Sequence, residues 1–157
     1  MDLQRFKDAQ NDPFNGFDTA LREIRAGAKR GHWVWYVLPQ LRGLGQSSMA
    51  LHYGIDGESE AVAYLRDEQL RDRLAVIIAA LVPHRHHAGL TRVMGSRLDA
   101  MKAMSSMTLF AAVARTLHAA GECAACGQIA ESAEEILSWG EAEGLARCAF
   151  TLSRVSG

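Results

Sequence analysis

Three side chains in this 157-residue sequence have the types and settings that chemistry needs. His32 heads the apolar run "HWVWYVL", and Asp99 and Lys102 stand three apart in "SRLDAMKAMSSMTLF". An imidazole titrates near neutral pH and serves as a general base or acid. A carboxylate can do the same. A partly desolvated lysine polarises an anionic substrate or attacks a carbonyl as a Schiff-base nucleophile. The chemistry these groups fit is hydrolysis or glycosidic transfer, with His32 or Asp99 as base and Lys102 as electrophile or nucleophile. Asp99 and Lys102 also lie within pairing reach on a helix.

A second group of residues suits binding. "LPQLRGLGQSS" places Gln40, Gly43, Gly45, Ser47 and Ser48 in one polar turn ahead of a short helix. Such a turn presents backbone N–H groups and hydroxyls to an anion. It matches neither the GxxxxGK[ST] nor the GxGxxG pattern, so it points to a phosphate- or ribose-bearing ligand without naming a nucleotide fold. Trp33, Trp35, Tyr36 and Val37 supply a rigid buried wall beside it.

Other clusters read as structural. Cys123 and Cys126 form a CxxC, but no second pair of ligands stands at zinc spacing and no strand-to-helix setting suits a redox pair. They are expected to be free, small residues buried on a helix, with no metal. His84, His86 and His87 follow a helix and Pro83, and read as solvated loop histidines. The formal net charge of −1 leaves no footprint for nucleic acid. The polar start and the shortness of the longest apolar run, "LAVIIAALV", argue against a signal peptide and a membrane span. Three cysteines make no disulfide framework, so the reducing cytoplasm is the expected home. No cofactor motif is present.

These side chains must be positioned by helices, because no alternating run of strand length occurs. Phe17, Ala20, Leu21 and Ile24 fall at helical spacing, with Asp18 as cap, the helix reaching about Ala26 and Gly27 as stop. "HWVWYVL" is read as a short helix ended by Pro39. Ser47 or Ser48 caps a helix through Tyr53. Residues 58 to 66 follow, with Ala61, Val62 and Leu65 inward. Leu70, Leu74, Ile77, Ile78 and Leu81 make the clearest stripe. A long helix runs from about Ser96 to His118, and Ser106, Phe110, Val113 and Leu117 share its inner face, which extends backwards to Asp99 with Lys102 beside it. Residues 128 to 138 and 141 to 152 are expected to close the chain as two helices. The fold class is all-α, a compact multi-helix array of one domain over residues 1 to 157.

Taken together, "HWVWYVLPQLRGLGQSSMALHYGI", "EAVAYLRDEQLRDRL" and "LDAMKAMSSMTLF" resemble the bacterial DUF1810 family in motif order and spacing. The opening "FKDAQNDPFNGFDTALREIRAGAKRGHW" is similar to the family's usual start. The likeness spans residues 5 to about 110. It implies a small, cytoplasmic, helical protein, and it brings no established activity. The motif residues are His32, Trp33, Pro39, Gln40, Gly43, Gly45, Ser47, Asp99, Lys102, Ser105 and Thr108. Leu38 stands where the family usually has phenylalanine, and "WGEAEGLARC" fits the family's C-terminal pattern poorly. The candidate site is therefore His32, Asp99 and Lys102 as reacting groups. Trp33, Gln40, Gly43, Gly45, Ser47, Ser48, Ser105 and Ser106 are its ligand-binding lining, and a small anionic molecule its ligand. The contrasting expectation is a non-enzymatic adaptor or scaffold with an exposed apolar patch and no pocket.

Overall fold

The computed structural model describes residues 2–156. Among them ten α-helices succeed one another, with no strand. They are α1 (Gln4–Gln10), α2 (Phe17–Arg25), α3 (Val34–Val37), α4 (Ser48–Tyr53), α5 (Gly57–Arg66), α6 (Glu68–Leu81), α7 (Leu90–Met94), α8 (Arg97–Ala119), α9 (Cys126–Ala142) and α10 (Ala149–Leu152). A 3₁₀ turn, Val82–His86, follows α6 and carries His84 and His86.

The centre is α8. Ser96 caps it by accepting from the Asp99 backbone N–H at 3.1 Å. Every residue from Ser106 to Ala114 is buried, the mark of a helix surrounded by others. α9 packs along it, closely enough that a Cβ on Gly140 would lie 2.3 Å from the Met104 sulfur. The stripe Leu70, Leu74, Ile77, Ile78 and Leu81 is buried in full, as its spacing requires. In α5, Ala61 and Leu65 are buried while Val62 is only half-buried.

The tryptophan run forms a single helical turn. Trp33 is wholly buried, and its indole N–H donates to Glu23 at 2.9 Å. Glu23 also accepts from the backbone N–H groups of Arg30 and Gly31. One carboxylate thus locks the loop that leads into α3. Burial, the largest influence on Glu23, raises its pKa, but these hydrogen bonds outweigh it and hold the carboxyl below its ordinary value.

Four expectations need correction. Gly16, not Asp18, caps α2, and Asp18 sits in its first turn, where a negative charge suits the helix dipole. No helix spans 141 to 152. Gly144 takes a left-handed conformation at φ +90°, which ends α9 and leaves 144–148 as a loop before the short α10. Cys123 and Cys126 are not free: the turn before α9 brings their Cα atoms to 5.3 Å and they form a disulfide, leaving Cys148 as the free thiol. His84 is half-buried rather than solvated, with its ring packed beside Gly27.

Candidate functional site

The chain leaves α3 through Pro39 and Gln40 and is pinned by two backbone bonds. The Ile55 N–H donates to the Gln40 carbonyl at 2.8 Å, and the Arg42 N–H donates to the Ile55 carbonyl at 2.9 Å. This isolated bridge, Leu41 to Ile55, fixes where the 43–48 turn begins. The turn rests on α10: Gly43, at φ +109°, lies so close to Phe150 that a Cβ would approach its ring to 2.8 Å. Ser47 then caps α4, accepting from the Ala50 N–H at 3.1 Å. Its own hydroxyl proton remains free to donate.

Opposite this turn stands the first part of α8, and the 144–149 loop closes the third side. Between them lies a cleft of about 700 Å³, within the range of small-molecule sites. Five predicted residues line it: Gln40, Gly45, Ser47, Lys102 and Ser105. The others do not. His32 is exposed in the loop before α3, with its backbone bonded to Asn15 and Tyr36. Trp33 is core. Gly43 faces Phe150, and Ser48 is exposed at the start of α4. Ser106 is fully buried, and its hydroxyl has no hydrogen-bond partner among the described residues.

Asp99 also stands outside the lining, because it is held from behind. Lys29, with a side chain only 5% exposed, reaches it at 2.7 Å and also donates to the Gly31 carbonyl. Lys102 reaches the other carboxylate oxygen at 3.3 Å and lies 4.7 Å from the centre of the Trp35 ring. Burial acts most strongly on Asp99, raising its pKa, yet Lys29 and Lys102 outweigh it and keep the carboxyl below its ordinary value. A carboxylate so pinned is a structural anion, and a weak base.

Of the lining residues outside the predicted set four bear on its chemistry, and one of them, Trp35, was expected only as part of the buried wall. Trp35, two positions after Trp33, turns toward the cleft as Trp33 turns to the core. Arg97 opens α8 and makes no ion pair among the described residues. Arg147 and Cys148 come from the loop that was expected to be helix. Arg147 pairs with Glu134 at 2.8 Å and Glu141 at 3.3 Å, both outside the lining. Burial lowers its pKa, but these carboxylates raise it by more. The lining thus holds Arg97, Lys102 and Arg147 and no carboxylate.

Gln40 is 9% exposed, lines the cleft, and its side-chain amide finds no hydrogen-bond partner among the described residues. The amide opens onto the cleft and is available to a ligand. Cys148 is half-buried on the opposite wall, and its backbone N–H donates to the Thr108 hydroxyl at 3.2 Å. Burial is the strongest influence on its thiol and raises the pKa. The neighbouring Thr151 and Ser105 hydroxyls and the Thr151 and Phe150 N–H groups together outweigh it and bring the pKa below its ordinary value. In the resting geometry the single Ser105 proton goes to the Met101 carbonyl, and the fully buried Thr151 hydroxyl has no partner. The lip of the cleft is apolar, with Leu98 68% and Met101 50% exposed. Shallower depressions elsewhere, along α1 and α5 and beside α9, contain none of the predicted site residues.

A family model described as "Protein of unknown function (DUF1810)" matches residues 1–125. The chain belongs to the DUF1810 family. The crystal structure of the conserved hypothetical protein Rv1873 from Mycobacterium tuberculosis is similar, with 35% identity and a TM-score of 0.77. That likeness covers 97% of this chain and 94% of the other. A comparison with curated proteins finds no match. The DUF1810 match ends just before α9, so it takes in Trp35, Gln40, the 43–48 turn, Arg97, Lys102 and Ser105, while Arg147 and Cys148 lie beyond it. No helix among the described residues is long and apolar enough to cross a membrane.

Proposed function

We propose that the cleft binds a small anionic molecule that also carries an apolar part. Its anionic end, a phosphate or a ribose-linked phosphate, lies against Arg97 and Lys102. The observation that carries this reading is a lining with three cations, of which Arg97 has no ion pair among the described residues, no carboxylate, and the amide of the nine-tenths-buried Gln40 without a hydrogen bond among the described residues. In such a partly enclosed site, charges act through less water and attract an anion more strongly than on an open surface. Leu98, Met101 and Trp35 offer surface for the apolar end. Hydrolysis by His32 or Asp99 finds little support in this arrangement, since neither side chain lines the cleft and Asp99 is held by Lys29. The function proposed is binding first, with any chemistry supplied by another group.

The adaptor reading draws on the exposed Leu98 and Met101, which a partner protein could cover. The two readings separate in a melting screen with nucleotides, ADP-ribose derivatives and acyl phosphates. Stabilisation that rises with ligand concentration, and weakens in Arg97→Ala, supports the cleft. No shift with any anion, together with self-association or capture of a peptide by wild-type protein, would favour the adaptor.

A further inference from the structure

Cys148 is the nucleophilic side chain on the cleft wall that the binding reading leaves unused. It does not stand alone. Across the same cleft lies the amide of Gln40, a residue 9% exposed whose side chain makes no hydrogen bond among the described residues, and beside Cys148 is the wholly buried Thr151, whose hydroxyl has no partner. A buried hydroxyl left unbonded costs free energy, and an anionic sulfur is the acceptor that relieves it. The groups that would support a thiolate are therefore in place before any ligand arrives.

The rest of the lining limits the reaction. No histidine and no carboxylate lines the cleft, and the Lys102 ammonium is engaged by Asp99, so no free general acid stands ready to protonate a poor leaving group such as an amine or an alkoxide. A leaving group must depart as a stable anion. A thiolate does this, and in thiol–thioester exchange one thiolate enters as another leaves. The apolar lip of Leu98 and Met101 suits an acyl chain, and Arg97 with Lys102 suits an anionic carrier.

We infer that Cys148 is an acyl acceptor, which takes the acyl group of an anionic thioester bound in the cleft. This inference rests on the anion-binding reading. The Cys148 thiol gives its proton to solvent, and the sulfur lone pair attacks the thioester carbonyl carbon. A C–S bond forms and the carbonyl π pair moves to oxygen, where the Gln40 amide N–H donates to it. When the carbonyl re-forms, the bond to the original sulfur breaks and that sulfur leaves with the electron pair as a thiolate, which takes up a proton. One thioester and one thiol give one thioester and one thiol, with no oxidant or reductant.

The test uses the full chain, with octanoyl-coenzyme A as the anionic thioester and octanoyl-N-acetylcysteamine as its neutral counterpart. Intact-mass and peptide mass spectrometry are expected to find one octanoyl group on Cys148 and none on the Cys148→Ala protein. A lower thiol pKa raises the thiolate fraction tenfold per unit and costs part of its nucleophilicity. The rate should therefore exceed that of glutathione at pH 7 by about threefold for each unit. Gln40→Leu is expected to slow acylation by roughly tenfold or more, and Arg97→Ala, on an exposed side chain, to slow only the anionic thioester. Binding is read separately, as the melting shift that octanoyl-coenzyme A gives to Cys148→Ala. A shift without acylation of wild-type protein overturns the nucleophile and leaves the binding reading standing. Neither shift nor acylation overturns both. Acylation on lysines alone, at glutathione's rate, or equally from both thioesters also overturns the inference.

Discussion

Replacing Lys102 by methionine keeps the stem against Trp35 and removes the charge. The cost can be worked from the pairs around Asp99. Lys102 is 24% exposed and meets Asp99 at 3.3 Å, whereas Lys29 is 5% exposed and meets it at 2.7 Å. After the change Asp99 still has Lys29, so no uncompensated charge remains. What is lost is a partly exposed i,i+3 pair, about 0.2–1 kcal/mol, and a cation–π contact of about 0.5–1 kcal/mol. The expected total is roughly 0.7 to 2 kcal/mol, a fall of about 1–8 °C in Tm for a chain of this size. Lys29→Met removes the more buried partner, leaving Asp99 with Lys102 alone, and also the bond to the Gly31 carbonyl; two hydrogen bonds of a charged group, at about 1.5–3 kcal/mol each, give an expected loss of about 3–6 kcal/mol. Urea denaturation of both variants provides the comparison. Equal losses, or a larger one for Lys102→Met, would refute the assignment of Lys29 as Asp99's structural partner and of Lys102 as a cleft residue.

Trp33→Ala should cost about 3–5 kcal/mol, because the indole is wholly buried and its N–H satisfies Glu23; a urea-measured loss below about 1 kcal/mol would place the residue outside the core. Stability should fall in acid. Glu23, Glu60, Asp67 and Asp99 all have folded pKa values below their ordinary ones. The unfolded chain thus binds more protons in this range, and their contribution is full above about pH 5 and lost as pH falls through the folded values. Denaturation midpoints that stay level from about pH 5 to pH 3 would contradict this. Glu60→Gln should show the shallower acid slope and a loss of about 3–5 kcal/mol, since Arg5 is buried against it at 2.7 Å; a wild-type midpoint would show that the pair contributes nothing.

Local patterns in the sequence were enough for the long helices. The stripe Leu70 to Leu81 and a helix start near Ser96 depend on neighbours within a few residues, and both are as expected. The site was legible only where local chemistry decided it, as at Ser47, which caps α4, and at the start of α8. Lys29 and Asp99 are 70 residues apart, and Arg5 and Glu60 are 55 apart, so no periodicity connects them. Which of Trp33 and Trp35 faces the core depends on how Glu23 grips the preceding loop. The third wall was hidden because Gly144 breaks a segment whose composition reads as helix, and with it went Arg147 and Cys148. His32 falls outside the cleft lining for a related reason: standing at the edge of a buried run does not say which way a loop residue turns.

The most direct test of the anion-binding cleft is isothermal titration of ADP-ribose, pyrophosphate and octanoyl-coenzyme A into wild-type protein, Arg97→Ala and Lys102→Met. At least one of these anions is expected to bind wild type at a single site, weaken as salt is added, and lose about tenfold in affinity with each substitution, about 1.4 kcal/mol. Binding that is unaffected by both substitutions, or no binding of any of the three at low salt, would contradict the account.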